Sequence, residues 1–333
     1  MKKAILIFSI AISLMLTFSS CKAEEIPEWF TVEGDTLVKY TGNKRGVEIP
    51  DGVVTIANGA FRDNKIIETV IFSASVKTVD MNAFRSCTAL SEVRLNDGIA
   101  EIRGWAFALC EKLSEIDLPD TLTVIADGAF SGTSIEYLKI PGGVTRVSGL
   151  MGIDKDCQIS CDNSLKVLEL CEGVEYLGDF DYCNALTKVI IPSTVETVDG
   201  FNYCPNLTDI KLPEGVKSVV GFRSCEQLTE MKIPSTVTGF NALRETSFWT
   251  GDEKFTIVGD GVLVRIKTDE RSVMLPEEVN YIGPTVETVI TWNNESYIYS
   301  PRLEEIILLY PIVRVDSSFD GHTPKITITE AYN

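Results

Sequence analysis

Nine cysteines, a single histidine and 48 carboxylates are the groups of this 333-residue chain that could do chemistry, if they stood at the right spacings. With His322 the only histidine, there is little scope for a Ser-His-Asp or Cys-His nucleophile. No glycine-rich phosphate loop follows a strand-like run. A zinc site is disfavoured, because the cysteine spacings match no common ligand set and His322 stands far along the chain. Carboxylates are plentiful enough for the acid and base of a glycosidase. Most of them recur at equivalent surface positions, however, as a solvated ladder would. No catalytic residue, metal site or cofactor is expected, and the chain reads as a non-enzyme.

The cysteines repeat instead. Cys87 and Cys110 stand 23 residues apart, and Cys183, Cys204 and Cys225 stand 21 apart, each three residues after a phenylalanine. These five read as small buried thiols behaving as hydrophobes. Neighbouring coils would set them near strand spacing, close enough for a bridge without specifying one. Cys157, Cys161 and Cys171 lie in or beside an irregular stretch and leave room for one disulfide.

Such regularity needs a repeating scaffold. Taking one apolar strand position per repeat gives Val47, Val70, Val93, Ile116, Leu138, Leu168, Val189, Ile210 and Met231, at steps of 23, 23, 23, 22, 30, 21, 21 and 21 residues. That period is the one at which a strand and a return segment complete a leucine-rich coil. In Leu90-Ser91-Glu92-Val93-Arg94-Leu95 the apolar residues alternate with polar ones, as in a half-buried strand. Leu113 to Leu118, Leu186 to Ile191, Leu207 to Leu212 and Leu228 to Ile233 repeat the pattern. Arg94, Asp117, Lys139 and Glu169 alternate in sign along the outward row, which predicts ion pairs from coil to coil. Prolines such as Pro50, Pro119, Pro192 and Pro213 end the strands. Phe61, Phe84, Phe107 and Phe130, then Phe180, Phe201 and Phe222, should pile into an internal column as the coils stack. The step shortens where Asp80-Met81-Asn82-Ala83-Phe84 becomes Asp199-Gly200-Phe201, so the return segment tightens.

These phrases resemble the BspA-like leucine-rich repeat family of bacterial surface proteins, with Val93, Leu95, Ile99, Ile102, Ala106-Phe107 and Cys110 in the places of its repeat. The resemblance is good over residues 30 to 240 and weak elsewhere. It implies a leucine-rich repeat solenoid, mostly β, with parallel strands stacked coil on coil, irregular return segments and hairpin caps. It also implies adhesion to host matrix or to other bacteria, without naming a ligand.

The expected organisation has four parts. Residues 1–20 are a lipoprotein signal peptide, 21–46 the lipid anchor, tether and N-terminal hairpin cap, 47–250 the repeats, and 251–333 a second hairpin with degenerate repeats. The hairpins rest on an echo: Phe255 to Val264 repeats the pattern of Phe30 to Val38, each with a Gly-Asp between alternating apolar runs. Within the array, the coil at 149–165 is longer than its neighbours and should bulge as a surface loop, either as a binding feature or simply to join the two series.

Lys2 and Lys3 precede the apolar run Ala4 to Phe18, and Phe18-Ser19-Ser20-Cys21 follows the plan of a secretory signal. It is similar to a bacterial lipobox, which implies lipidation of Cys21; a plain signal peptide with a coincidental cysteine is the alternative. Lys22-Ala23-Glu24-Glu25 is similar to the acidic segment that sends Bacteroidetes lipoproteins to the outer face of the outer membrane. The expected location is therefore an exported lipoprotein at the outer membrane and cell surface, with membrane contact through the anchor only. A formal net charge of −18 argues against nucleic acid as a partner.

Binding remains as the function. The candidate ligand-binding residues are the exposed-looking aromatics Trp105, Tyr137, Tyr182 and Tyr203, together with Trp292, Tyr297 and Tyr299 in an expected loop. Local packing is the alternative for each. The leading reading is recognition of an extracellular protein; a glycan-binding lipoprotein for nutrient capture and an envelope scaffold are the alternatives. The oligomeric state is not specified.

Overall fold

The computed structural model describes residues 26–149 and 164–229, then Met231, Pro234, Thr236, Val237 and Val279, and the strands between Gly239 and Ile328. Each coil contributes two short strands, which stack on their equivalents in the next coil as two parallel walls. The front wall pairs Gly46–Glu48, Thr69–Ile71 and Glu92–Arg94 with Val47, Val70 and Val93 in register. It resumes with Tyr137–Ile140, Val167–Leu170, Lys188–Ile190 and Asp209–Ile210, aligning Leu138, Leu168, Val189 and Ile210. The marker residues thus meet their counterparts one coil away. The back wall stacks Thr36–Tyr40 through Val124–Ile125, and then Arg146–Ser148 through Gly239–Asn241. No helix is present among the described residues.

The strands are only two to five residues long in the array, so isolated they would not persist. Burial holds them. Alternation turns Leu138 and Ile140 inward to full burial and leaves Tyr137 and Lys139 outside. One apolar cluster runs from Phe30 to Val237 between the walls. Its spine is the phenylalanine column: Phe61 and Phe84 stack at 4.6 Å, Phe84 and Phe107 at 5.2 Å, and Phe107 and Phe130 at 5.9 Å. Phe180, Phe201 and Phe222 form a second run at 5.7 and 5.4 Å. Each ring contributes about 1.5–3 kcal/mol through burial and about 0.5–1.5 kcal/mol more through its ring contacts.

At the N-terminus Phe30–Glu33 pairs antiparallel with Thr36–Tyr40, and this hairpin closes the end of the back wall. Tyr40 lies 5.0 Å from Phe61, so the cap supplies the column's first rings. Further along, Phe255–Val258 pairs antiparallel with Val262–Lys267, and its register slips after the second pair just as in the first hairpin. Ser272–Met274, Glu305–Leu308 and Lys325–Ile328 then form a parallel sheet.

The structure departs from expectation in three places. Leu113 to Leu118 forms no strand, and the front wall is divided there into sheets of three and four strands. The outward row explains why. Glu115 would stack directly on Glu92, and like charges placed opposite each other destabilise a ladder. Asp117 would be rescued by Arg94 and Lys139, but Arg94 pairs with Glu92 at 2.6 Å and Lys139 with Glu169 at 3.5 Å. Of the predicted sign-alternating row, only the Lys139–Glu169 pair forms; elsewhere coil-to-coil pairs use other positions, such as Lys188–Asp209 at 2.9 Å. Trp292 and Tyr297 stand on paired strands rather than in a loop, because Tyr281–Trp292 and Glu295–Tyr297 are antiparallel partners. The expected bulge between Gly149 and Leu165, with Cys157 and Cys161, lies outside the described residues apart from its ends, as do Cys21 and the whole leader.

Candidate binding surfaces

Tyr137 opens the strand Tyr137–Ile140 and points out from the front wall, about half exposed. Its hydroxyl donates to Glu169 Oε2 at 2.7 Å, while Lys139 reaches the other oxygen of that carboxylate. The carboxylate acceptor pushes the phenol up to about 12, so Tyr137 keeps its proton and remains a donor. Beside it, where the front wall divides, a cleft of about 710 Å³ opens, lined by Glu115, Ile116, Asp117, Leu118, Tyr137 and Lys139 among others.

Tyr182 and Tyr203 come together on a different surface, flanking the phenylalanine column. Their rings stack at 4.6 Å and 11°, and Arg223 lies 5.6 Å from the Tyr203 centroid. Both tyrosines have left-handed backbones, with φ of 64° and 60°. A polar row fixes the turns: Asn202 N donates to Asp181 Oδ1 at 2.8 Å, and Arg223 N donates to Asn202 Oδ1 at 3.1 Å.

Trp105 is half-buried rather than exposed. It too is left-handed, φ 59°, at the register filled by Gly59, Asn82 and Gly128 in neighbouring coils. Its indole lies over Gly128, where an added Cβ would come within 2.7 Å of the ring, and Arg85 sits 5.5 Å from its centroid. Packing therefore accounts for much of this side chain. Trp105, Tyr137 and the Tyr182–Tyr203 pair occupy separate surfaces. For Trp292 and Tyr297 the backbone pairing alone is described, and Tyr299 lies outside the described residues.

The buried cysteines are hydrogen-bonded as well as packed. Cys87 and Cys110 donate to the Phe61 and Phe84 carbonyls of the preceding coil, each at 3.2 Å, and Cys204 and Cys225 do the same to Phe180 and Phe201 at 3.3 and 3.1 Å. Burial pushes the Cys87 and Cys225 thiols up to about 12, and Cys110 is raised for the same reason. Cys171 is a free thiol.

The residues that reasoning from sequence overlooked are those of the cleft, since Leu113 to Leu118 reads like any other strand. A trace was present: the step from Ile116 to Leu138 is 22, one short of its predecessors. The left-handed positions also left a trace, because Gly59 and Gly128 bracket Asn82 and Trp105 at intervals of 23.

Stacked parallel coils around a phenylalanine spine define a leucine-rich repeat protein. More narrowly, the chain belongs to the BspA type leucine rich repeat family, whose profile matches residues 34–151 and 151–250 in six copies. Among solved structures, the chain is similar to the leucine-rich repeat protein TpLRR of T. pallidum, with 28% identity over 62% of this chain and 91% of that one, at a TM-score of 0.45. It is similar to a leucine-rich repeat protein of Bacteroides ovatus at 23% identity, covering 87% of this chain and 64% of that one, TM-score 0.48. The pneumococcal vaccine antigen PcpA aligns at 16% identity over 90% of this chain and 96% of its own, TM-score 0.38. No curated protein matches the chain significantly.

Proposed function

We propose that this chain is a non-enzymatic surface lipoprotein, anchored through Cys21 at the outer membrane, that recognises a protein ligand in adhesion to host matrix or to other bacteria. The observation that carries the reading is the Tyr182–Tyr203 pair. A left-handed backbone costs a non-glycine residue about 1–2 kcal/mol, and the ring contact returns about 0.5–1.5 kcal/mol. The pair therefore contributes little to folding, yet it holds rigid aromatic area at the surface, where Tyr182 is 41% exposed. Large rigid aromatics with a flanking arginine are the side chains that dominate protein interfaces.

The test is binding of the mature protein to an immobilised extracellular-matrix preparation. Replacing both tyrosines with glycine should leave the melting temperature within a few degrees and weaken binding at least tenfold. Loss of wild-type binding when the coating is enzymatically deglycosylated would replace the protein ligand with a glycan. Radiolabelled palmitate incorporation that vanishes in Cys21→Ala, with protease sensitivity on intact cells, tests the anchor and its orientation.

A further inference from the structure

The division of the front wall leaves a strand edge unpaired inside a cleft. We propose that this edge takes up an extended, basic peptide segment of a partner protein, which adds as a strand against Tyr137–Ile140. The site is distinct from the tyrosine pair and stands or falls without it.

The argument begins with ladder geometry. In a parallel pair, a residue directs its N–H and its C=O to the same side, and its neighbours direct theirs to the other. Glu136 C=O accepts from Val167 N at 3.1 Å and Ile140 C=O from Cys171 N at 3.0 Å, so these residues face the next coil. Tyr137 and Lys139 consequently face the opposite way, toward Ser114–Leu118. Among the described residues, no backbone hydrogen bond joins Ser114–Leu118 to Tyr137–Ile140 or to Glu92–Leu95. An exposed edge with unpaired N–H and C=O groups is a ready template for another strand.

The cleft has the volume of a ligand pocket, about 710 Å³, and an apolar side formed by Ile116, Leu118 and Pro141. Its charge selects the occupant. Glu136 is held by Lys166 at 2.8 Å, and Lys139 by Glu169 at 3.5 Å. Glu115, Asp117 and Asp120 also line the cleft, are exposed, and have no cation within ion-pair distance among the described residues. Three uncompensated carboxylates beside an open edge fit a segment whose alternate residues are Lys or Arg.

The test uses a fluorescein-labelled peptide alternating lysine with threonine or valine, titrated with the mature protein by fluorescence anisotropy. Three controls accompany it: the same peptide N-methylated at alternate residues, a glutamate counterpart, and added salt. The expected result is saturable binding of the lysine peptide, weakened at least tenfold by N-methylation, abolished in the glutamate peptide and reduced by salt. Glu115→Lys with Asp117→Lys should weaken binding at least tenfold, whereas Glu214→Lys with Glu226→Lys, an equal change in net charge elsewhere, should not. Lys139→Pro removes the open-edge N–H without touching the opposite ladder, and should weaken binding similarly in a protein shown by melting to be folded. The tyrosine double variant should bind the peptide as wild type does. No binding at millimolar peptide, equal binding of the N-methylated peptide, or equal loss from the two charge reversals would overturn the proposal.

Discussion

The coils around Phe61 to Phe130 and those around Phe180 to Phe222 share a strand register and a ring column but differ in how the chain turns. In the first series the left-handed residue stands two before the phenylalanine, at Gly59, Asn82, Trp105 and Gly128; in the second it stands one before, at Asp179, Gly200 and Gly221. The longer turn also inserts a buried alanine, Ala60, Ala83, Ala106 or Ala129, that the shorter one omits. Removing two residues brings adjacent turns close together. A Cβ at Gly200 would come within 2.8 Å of the Asp179 Cα, and one at Gly221 within 3.1 Å of the Gly200 Cα, whereas one at Gly59 meets only Arg62 at 3.7 Å. The longer turn can hold a side chain as large as Trp105. The shorter turn requires glycine where its neighbours crowd it.

The largest expected effect would show what the two series share. Phe84→Ala and Phe201→Ala should each destabilise by about 3–5 kcal/mol in denaturant unfolding. A loss confined to one series would mean that the column is not common to both. Glycine substitution should separate them. Gly59→Ala meets only the left-handed backbone cost, about 1–2 kcal/mol. Gly200→Ala adds a backbone collision and should destabilise by more, with the difference read as a gap between unfolding midpoints.

The cysteine ladder tests whether the interior is equally closed in both series. With Cys87 and Cys225 pushed up to about 12 by burial, neither thiol should react with iodoacetamide at pH 8 until the protein unfolds, as followed by mass spectrometry. Fast labelling of one series alone would mark it as open.

The smallest effect belongs to the tight turns. Burial and the nearby carboxylates Asp179 and Asp181 raise the Asp199 carboxyl. A folded pKa above the unfolded value means that Asp199 favours folding in acid, and that this contribution disappears as pH rises from about 3.8 through the folded value. Asp199→Asn should therefore raise the melting temperature at pH 7 relative to wild type, and the gain should shrink toward pH 3.

The array was legible because stacking forces equivalent side chains into contact, so the period of Val47, Val70 and Val93 is the period of the ladder itself. The phenylalanine column and the cysteine row followed from the same arithmetic. The division of the front wall did not, because Leu113 to Leu118 has the same alternation as Leu90 to Leu95. Whether it pairs depends on which carboxylates Arg94 and Lys139 choose, and that choice is made across coils. Tyr40 joining the column was hidden for a similar reason: it sits in a cap outside the repeat. Among the candidate aromatics, stacking of Tyr182 on Tyr203 follows from their interval of 21, while burial of Trp105 depends on the absent side chain of Gly128.

Amide hydrogen exchange tests the central claim most directly. Phe61, Phe84 and Phe107 donate their backbone N–H to Ala83, Ala106 and Ala129 of the next coil at 2.7–2.8 Å, and Phe201 donates to Gly221 at 2.6 Å. These amides should exchange only with unfolding in both series, while those of Ser114 to Leu118 exchange quickly. Fast exchange along the phenylalanine column, or protection of Ser114 to Leu118 equal to that of Glu92 to Arg94, would contradict a stacked solenoid with a single break in its front wall.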